Sequence, residues 1–98
     1  MPSQSRLGDM SKGHDGYPPT PSVVTPVSTV FINGIKAVTV DAEFETHTKG
    51  RDVHPQSSRK VTGGSPNVFF EGKPAARVDD PISCGDTIGE GSPDVFIN

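Results

Sequence analysis

A single cysteine, Cys84, leaves this chain without an internal disulfide. Tryptophan is absent and hydrophobic residues make up 31% of the sequence, or about 42% with its 11 glycines, whereas an ordinary domain carries roughly 45–50% apolar residues, glycine included. The core must therefore be small. No basic excess exists: 9 Lys and Arg stand against 12 Asp and Glu, for a net charge of −3. That balance excludes nucleic acid as the main partner, because a phosphate backbone needs a basic stripe. No apolar run approaches the roughly 18 residues of a membrane span. The start, MPSQSRLGDM, lacks the apolar stretch of a signal peptide, which sets the expectation of folding in the cytoplasm. No window long enough for a helix combines helical apolar spacing with freedom from Gly and Pro.

Glycine and proline are plentiful, at 11 and 10 residues of 98. Their sum of 21 stays below the roughly 25–30% of low-complexity disorder. The chain reads as one all-β domain that needs help beyond its core. Residues 1–13 are polar and are expected to be flexible. Tyr17 to Pro26 holds four prolines in ten residues, which excludes a helix and predicts extended chain. The polar stretch Thr48 to Ser65 reads as loop, with Gly63-Gly64 as a turn near its end.

Against this background three stretches repeat: VFING at Val30–Gly34, VFFEG at Val68–Gly72 and VFIN at Val95–Asn98. IKAVTVD (Ile35–Asp41) aligns without a gap with KPAARVD (Lys73–Asp79). Both copies have the form of a β-hairpin, with Asn33-Gly34 the stronger turn signal. A second echo links RLGDMSKGH (Arg6–His14), VDAEFETH (Val40–His47) and RVDDPISC (Arg77–Cys84), each ending in His or Cys. In an alternating strand one residue of each pair Val30/Phe31, Val68/Phe69 and Val95/Phe96 faces the core and the other faces outward. The pattern does not say which, and both sets could equally be core.

His14, His47, His54 and Cys84 are the only imidazoles and thiol of the chain. They match a closed tetrahedral metal site in number and type, and four protein ligands would make it structural rather than catalytic. The spacing alone is weak evidence, since six residues separate His47 from His54 and the other two are remote. The plain alternative is three surface imidazoles and one buried thiol. An imidazole-activated cysteine nucleophile is the enzymatic alternative, and a small chain of hairpins is a poor host for it; the expectation is no enzyme.

The tetrapeptide PAAR at Pro74–Arg77, set within this hairpin repeat, resembles the PAAR-repeat family. The resemblance extends over most of the chain, from GDMSKGH through the spaced histidines and late cysteine to the terminal SPDVFIN. It implies a small cone of short β-hairpins with pseudo-threefold symmetry, stapled by zinc at its apex. The implied zinc ligands are His14, His47, His54 and Cys84, although iron also accepts such ligation. The implied role is a structural, membrane-piercing tip that caps and sharpens a trimeric β-helical spike. That spike would be VgrG-like, in a type VI secretion system, or part of a contractile phage tail. Such a tip sits as a monomer on a trimer and can carry effectors. It is cytoplasmic when assembled and is then delivered outside the cell or into a target cell, or resides in the virion tail. Residues 1–98 would form one PAAR-type domain without a fused effector. The competing reading is a free zinc-binding adaptor that recruits effectors.

Overall fold

A computed structural model describes all residues 1–98. The elements are very short: β1 (Ser22–Val24), β2 (Phe31–Ile32), β3 (Ile35–Lys36), β4 (Glu43–Phe44), β5 (His47–Lys49), β6 (Asp52–His54), β7 (Phe69–Phe70) and β8 (Lys73–Pro74). One 3-10 turn, Gln56–Ser58, is the only helical element. Pairs β2–β3, β5–β6 and β7–β8 are antiparallel hairpins, and β1 pairs with β4. The molecule is elongated, 38 × 24 × 21 Å.

The repeat becomes a threefold arrangement through the backbone. Ala37 N donates to Val30 O, Ala75 N to Val68 O and Gln4 N to Val95 O, at 3.0, 2.9 and 3.0 Å. The first two bonds close the repeated hairpins; the third closes an equivalent hairpin between the two ends of the chain. The next residues of the three copies form a ring. Ser5 N donates to Ala76 O, Ala76 N to Val38 O and Val38 N to Ser5 O, at 3.0–3.1 Å. Further levels repeat the pattern: Leu7 to Lys36, Val40 to Pro74 and Val78 to Ser3, then Gly8 to Ser22, Asp41 to Val61 and Asp79 to Ile88. The three N-terminal residues of this last level share positive φ, 96°, 77° and 79° for Gly8, Asp41 and Asp79. Glycine and, less readily, aspartate tolerate that conformation.

This frame accounts for the tetrapeptide. Pro74 ends β8, where its carbonyl serves the second ring. Ala75 and Ala76 are fully buried, and three converging backbones leave room only for small side chains. Arg77 grips the turn after it, with Nε 3.0 Å from Asp80 Oδ2 while Arg77 N donates to the same oxygen at 2.7 Å. Arg6 and Asp9 repeat this clamp in the N-terminal copy. The N-terminal segment, expected to be flexible, is thus a full third of the frame, with Gln4 and Ser5 entirely buried.

The apolar core is one cluster of Val38, Ala42, Phe44, Val61, Ala76, Ile82 and Ile88. The N-terminal copy puts Ser5, Ser11 and Ser22 where the others have Val38/Ala76, Phe44/Ile82 and Val61/Ile88. Ser5 Oγ is buried with no partner. An orphaned buried hydroxyl costs about 1–3 kcal/mol, so Ser5→Ala is expected to raise stability by about 1 kcal/mol, read as a higher urea midpoint at unchanged slope.

Each hairpin also answers the question of facing left open by the sequence. Phe31, Phe69 and Phe96 are exposed, at 54%, 53% and 49%. Val30, Val68 and Val95 are only partly covered. The phenylalanines are the outward set, and the reading in which both sets are core is excluded. From these hairpins each copy runs through successive ring levels toward the histidines, so the phenylalanines and the imidazoles occupy opposite ends.

Candidate metal centre

Above the core the ladder continues with Ser11 N to Thr20 O, Phe44 N to Arg59 O and Ile82 N to Asp86 O, then Lys12 N to Thr87 O, Glu45 N to Pro21 O and Ser83 N to Lys60 O. Each copy then folds back over the end of the molecule. His14 pairs with Tyr17 across a turn in which Asp15 and Gly16 take positive φ. His47 and His54 face each other across β5–β6 in register. Directly opposed residues of an antiparallel pair carry Cβ atoms about 5 Å apart. A separation that looks wrong for a linear finger is thus right for a hairpin. Cys84 completes the set, but one step early: the ladder makes Gly85, not Cys84, the counterpart of His14 and His47.

The four sequence-predicted ligands come together, their donor atoms all within 4.8 Å of one another. His14 Nε2 lies 3.3 Å from His47 Nε2, and His47 Nε2 lies 3.0 Å from His54 Nδ1. Cys84 Sγ is 3.7 Å from His14 Nε2 and 3.9 Å from His47 Nε2. Zinc bonds of about 2.0–2.1 Å to nitrogen and 2.3 Å to sulfur place tetrahedral ligands about 3.3 and 3.6 Å apart. The His47 separations and the Cys84–His14 distance lie close to those values, so the donor set could hold a small tetrahedral ion. His47 Nδ1–H donates to Pro18 O at 3.0 Å, which leaves the Nε2 lone pair turned inward. Burial first, and then the charge of Arg59, holds the His47 pKa below the ordinary imidazole value, favouring the neutral ring a metal requires.

Three residues that sequence reasoning passed over complete the centre. Tyr17 lies across the imidazoles, its ring centroid 3.9 Å from that of His54 and 4.6 Å from that of His47. Arg59, within the stretch read as loop, has no exposed surface. Asp86 lies 3.2 Å from it in an ion pair buried on both sides. Burial opposes the Asp86 charge, but hydrogen bonds from Ser11, the Thr87 amide and Arg59 keep its pKa below the usual carboxylate range. The signal for Arg59 was available only through register, since Thr20, Arg59 and Asp86 are counterparts on one level.

Residues 52–98, which include two of the four donors and the tetrapeptide, match the family model of the PAAR motif. This is a PAAR-motif chain. It is also 35% identical, over 92 residues, to the double-stranded DNA deaminase toxin A of Burkholderia cenocepacia (strain H111). The aligned part covers 94% of the PAAR chain but only 6% of that toxin. PAAR motifs bind metal in general, and the His/Cys group of this PAAR chain could hold one ion.

Proposed function

We propose that this PAAR chain is the structural tip of a trimeric spike, held at its apex by one zinc ion. The observation that carries the reading is the threefold end of the molecule. Three exposed phenylalanines stand at equivalent positions of three hairpins, opposite the metal centre. A single chain with internal threefold repetition resolves the mismatch between a monomer and a homotrimer. Its outward phenylalanines offer the same apolar contact to each subunit, and its hairpins cover strand edges that would otherwise be open. The motif and the toxin relative support a spike-tip or effector-carrying role in general. We assign the finer role of capping and sharpening the spike of a secretion system or phage tail, with assembly in the cytoplasm and delivery at the spike's tip.

His14, His47, His54 and Cys84 would hold the zinc, which supplies four short bonds where loops cross and little apolar area is available. With four protein ligands no position is left for substrate. A closed ligand set supports a structural rather than a catalytic role for this ion.

Elemental analysis tests the metal: one zinc per chain is expected, and a well-folded protein without metal overturns the site. Co-purification with a trimeric spike protein tests the tip against the free adaptor. Replacing Phe31, Phe69 and Phe96 together by Ser is expected to weaken spike binding at least about a hundredfold, since each half-exposed ring contributes roughly 1 kcal/mol on burial. The same variant should keep its metal. Undiminished capture of the spike would remove the phenylalanines from the interface.

A further inference from the structure

Directly beneath the four metal donors lies the guanidinium of Arg59, whose hydrogen bonds are more specific than its charge alone. Arg59 is fully buried, and its other donors are committed. Nε donates to Glu45 O at 2.9 Å. Nη2 donates to Thr20 Oγ1 at 2.6 Å and to Ser11 Oγ at 3.3 Å. The Phe44 ring lies below, 5.9 Å from the guanidinium carbon. Nη1 alone faces the metal centre, 2.9 Å from His47 Nε2, 3.1 Å from Cys84 Sγ and 3.2 Å from Asp86 Oδ2.

From this geometry we infer that Arg59, fixed by Asp86, Thr20 and Glu45, is a positioning residue that hydrogen-bonds the sulfur of Cys84 and so tunes the thiolate as a metal ligand. The inference rests on the metal-centre reading above. Arginine can only donate, and a ring lone pair given to a metal is no longer free to accept. Once His47 Nε2 ligates, the acceptors left for Nη1 are Cys84 Sγ and Asp86 Oδ2. A charged N–H directed at a ligand sulfur stabilises its lone pairs and lowers the electron donation that the metal receives. Outer hydrogen bonds of this kind both orient ligands and tune the metal. The guanidinium also sets the electrostatics. A lone buried cation would repel the incoming ion, and Asp86 offsets that charge at 3.2 Å. The pair presents the metal with a directed donor at little net charge.

Cobalt(II) in place of zinc makes the sulfur visible through its thiolate-to-metal charge-transfer band. Two variants are compared with the wild type: Arg59→Lys, and Arg59→Met combined with Asp86→Asn so that no carboxylate is left unpaired. Loss of the hydrogen bond is expected to move the charge-transfer band to longer wavelength while the tetrahedral d–d bands persist. Cobalt affinity should fall roughly 10–100-fold. Arg59→Lys, which keeps the charge but not the planar fork, should lie between. Unmoved bands with unchanged or merely weakened affinity would make Arg59 a packing residue and overturn the inference. Absence of cobalt binding in the wild type would instead overturn the metal centre itself. Should neither variant fold, nitrogen-15 spectra of the wild type decide. The Arg59 side-chain N–H signals are expected to shift and exchange slowly with solvent on zinc loading, and signals indifferent to zinc would overturn the inference.

Discussion

Cys84→Ser is expected to lower the unfolding temperature by at least about 12–24 °C, and chelation of the wild-type metal should do the same. Apparent binding free energies of structural zinc, about 10–16 kcal/mol, are as large as the whole stability of an ordinary domain, about 5–15 kcal/mol. A loss of only about 3 kcal/mol, at about 4–8 °C per kcal/mol for a domain of this size, gives the stated shift. The apex has little else to hold it. The core cluster ends at Phe44, Ile82 and Ile88, and beyond it stand Arg59, Asp86 and the ligands themselves. Without metal, amide exchange should accelerate first in residues 12–20, 46–58 and 83–87, while the rings around Ser5, Val38 and Ala76 stay protected. Calorimetry of wild type, chelated wild type and variant checks the magnitude. An unchanged transition after complete metal removal would show that the ion is not a staple.

Joining the two ends of the chain is expected to stabilise it by up to about 4.7 kcal/mol, the chain-entropy value for closing a loop of about 100 residues. The ends already form a hairpin. Ile97 N donates to Pro2 O at 2.9 Å, and Ser3 bridges Phe96. By register Asn98 stands where the other hairpins have Asn33 and Glu71, and Met1 where they have Gly34 and Gly72. Those two intact turns take positive φ at both central residues, 55° and 78°, and 52° and 81°, the pattern of a type I′ turn. A direct peptide bond from Asn98 to a glycine in place of Met1 supplies that conformation. Reopening the closed chain between Asn33 and Gly34 should give a permuted protein that folds to the same rings and binds the same metal. Urea midpoints of the linear, closed and permuted forms test this. A closed form less stable than the linear one would mean that the ends do not meet in the turn geometry described.

Much of the frame was legible because repetition and turn chemistry are local. Asn33-Gly34 and Glu71-Gly72 mark hairpins by their own backbone preference, and VFING, VFFEG and VFIN announce equivalent units whatever surrounds them. The four donors could be named because the chain holds no others of their type. The hairpin β5–β6 was missed: all its strand residues but Val53 are polar, so no alternation betrays it, and a cross-strand His47–His54 pair leaves only an unremarkable seven-residue step in the sequence. The N-terminal segment was misread for a related reason. Ser5, Ser11 and Ser22 look like surface residues, yet they fill buried positions where the companion copies have apolar side chains.

The sequence by itself determined that this chain would be all-β, built from three related units, poor in core and supplied with one possible set of metal ligands. Those properties follow from composition, turn residues and repetition, which act within a few residues of chain. Only the tertiary structure decided that the first and last segments close the third hairpin, that the phenylalanines rather than the valines face outward, and that Arg59 lies buried against Cys84. Each of these depends on which distant strands share a ring. Ring closure is a property of register between segments tens of residues apart, and no local preference encodes it.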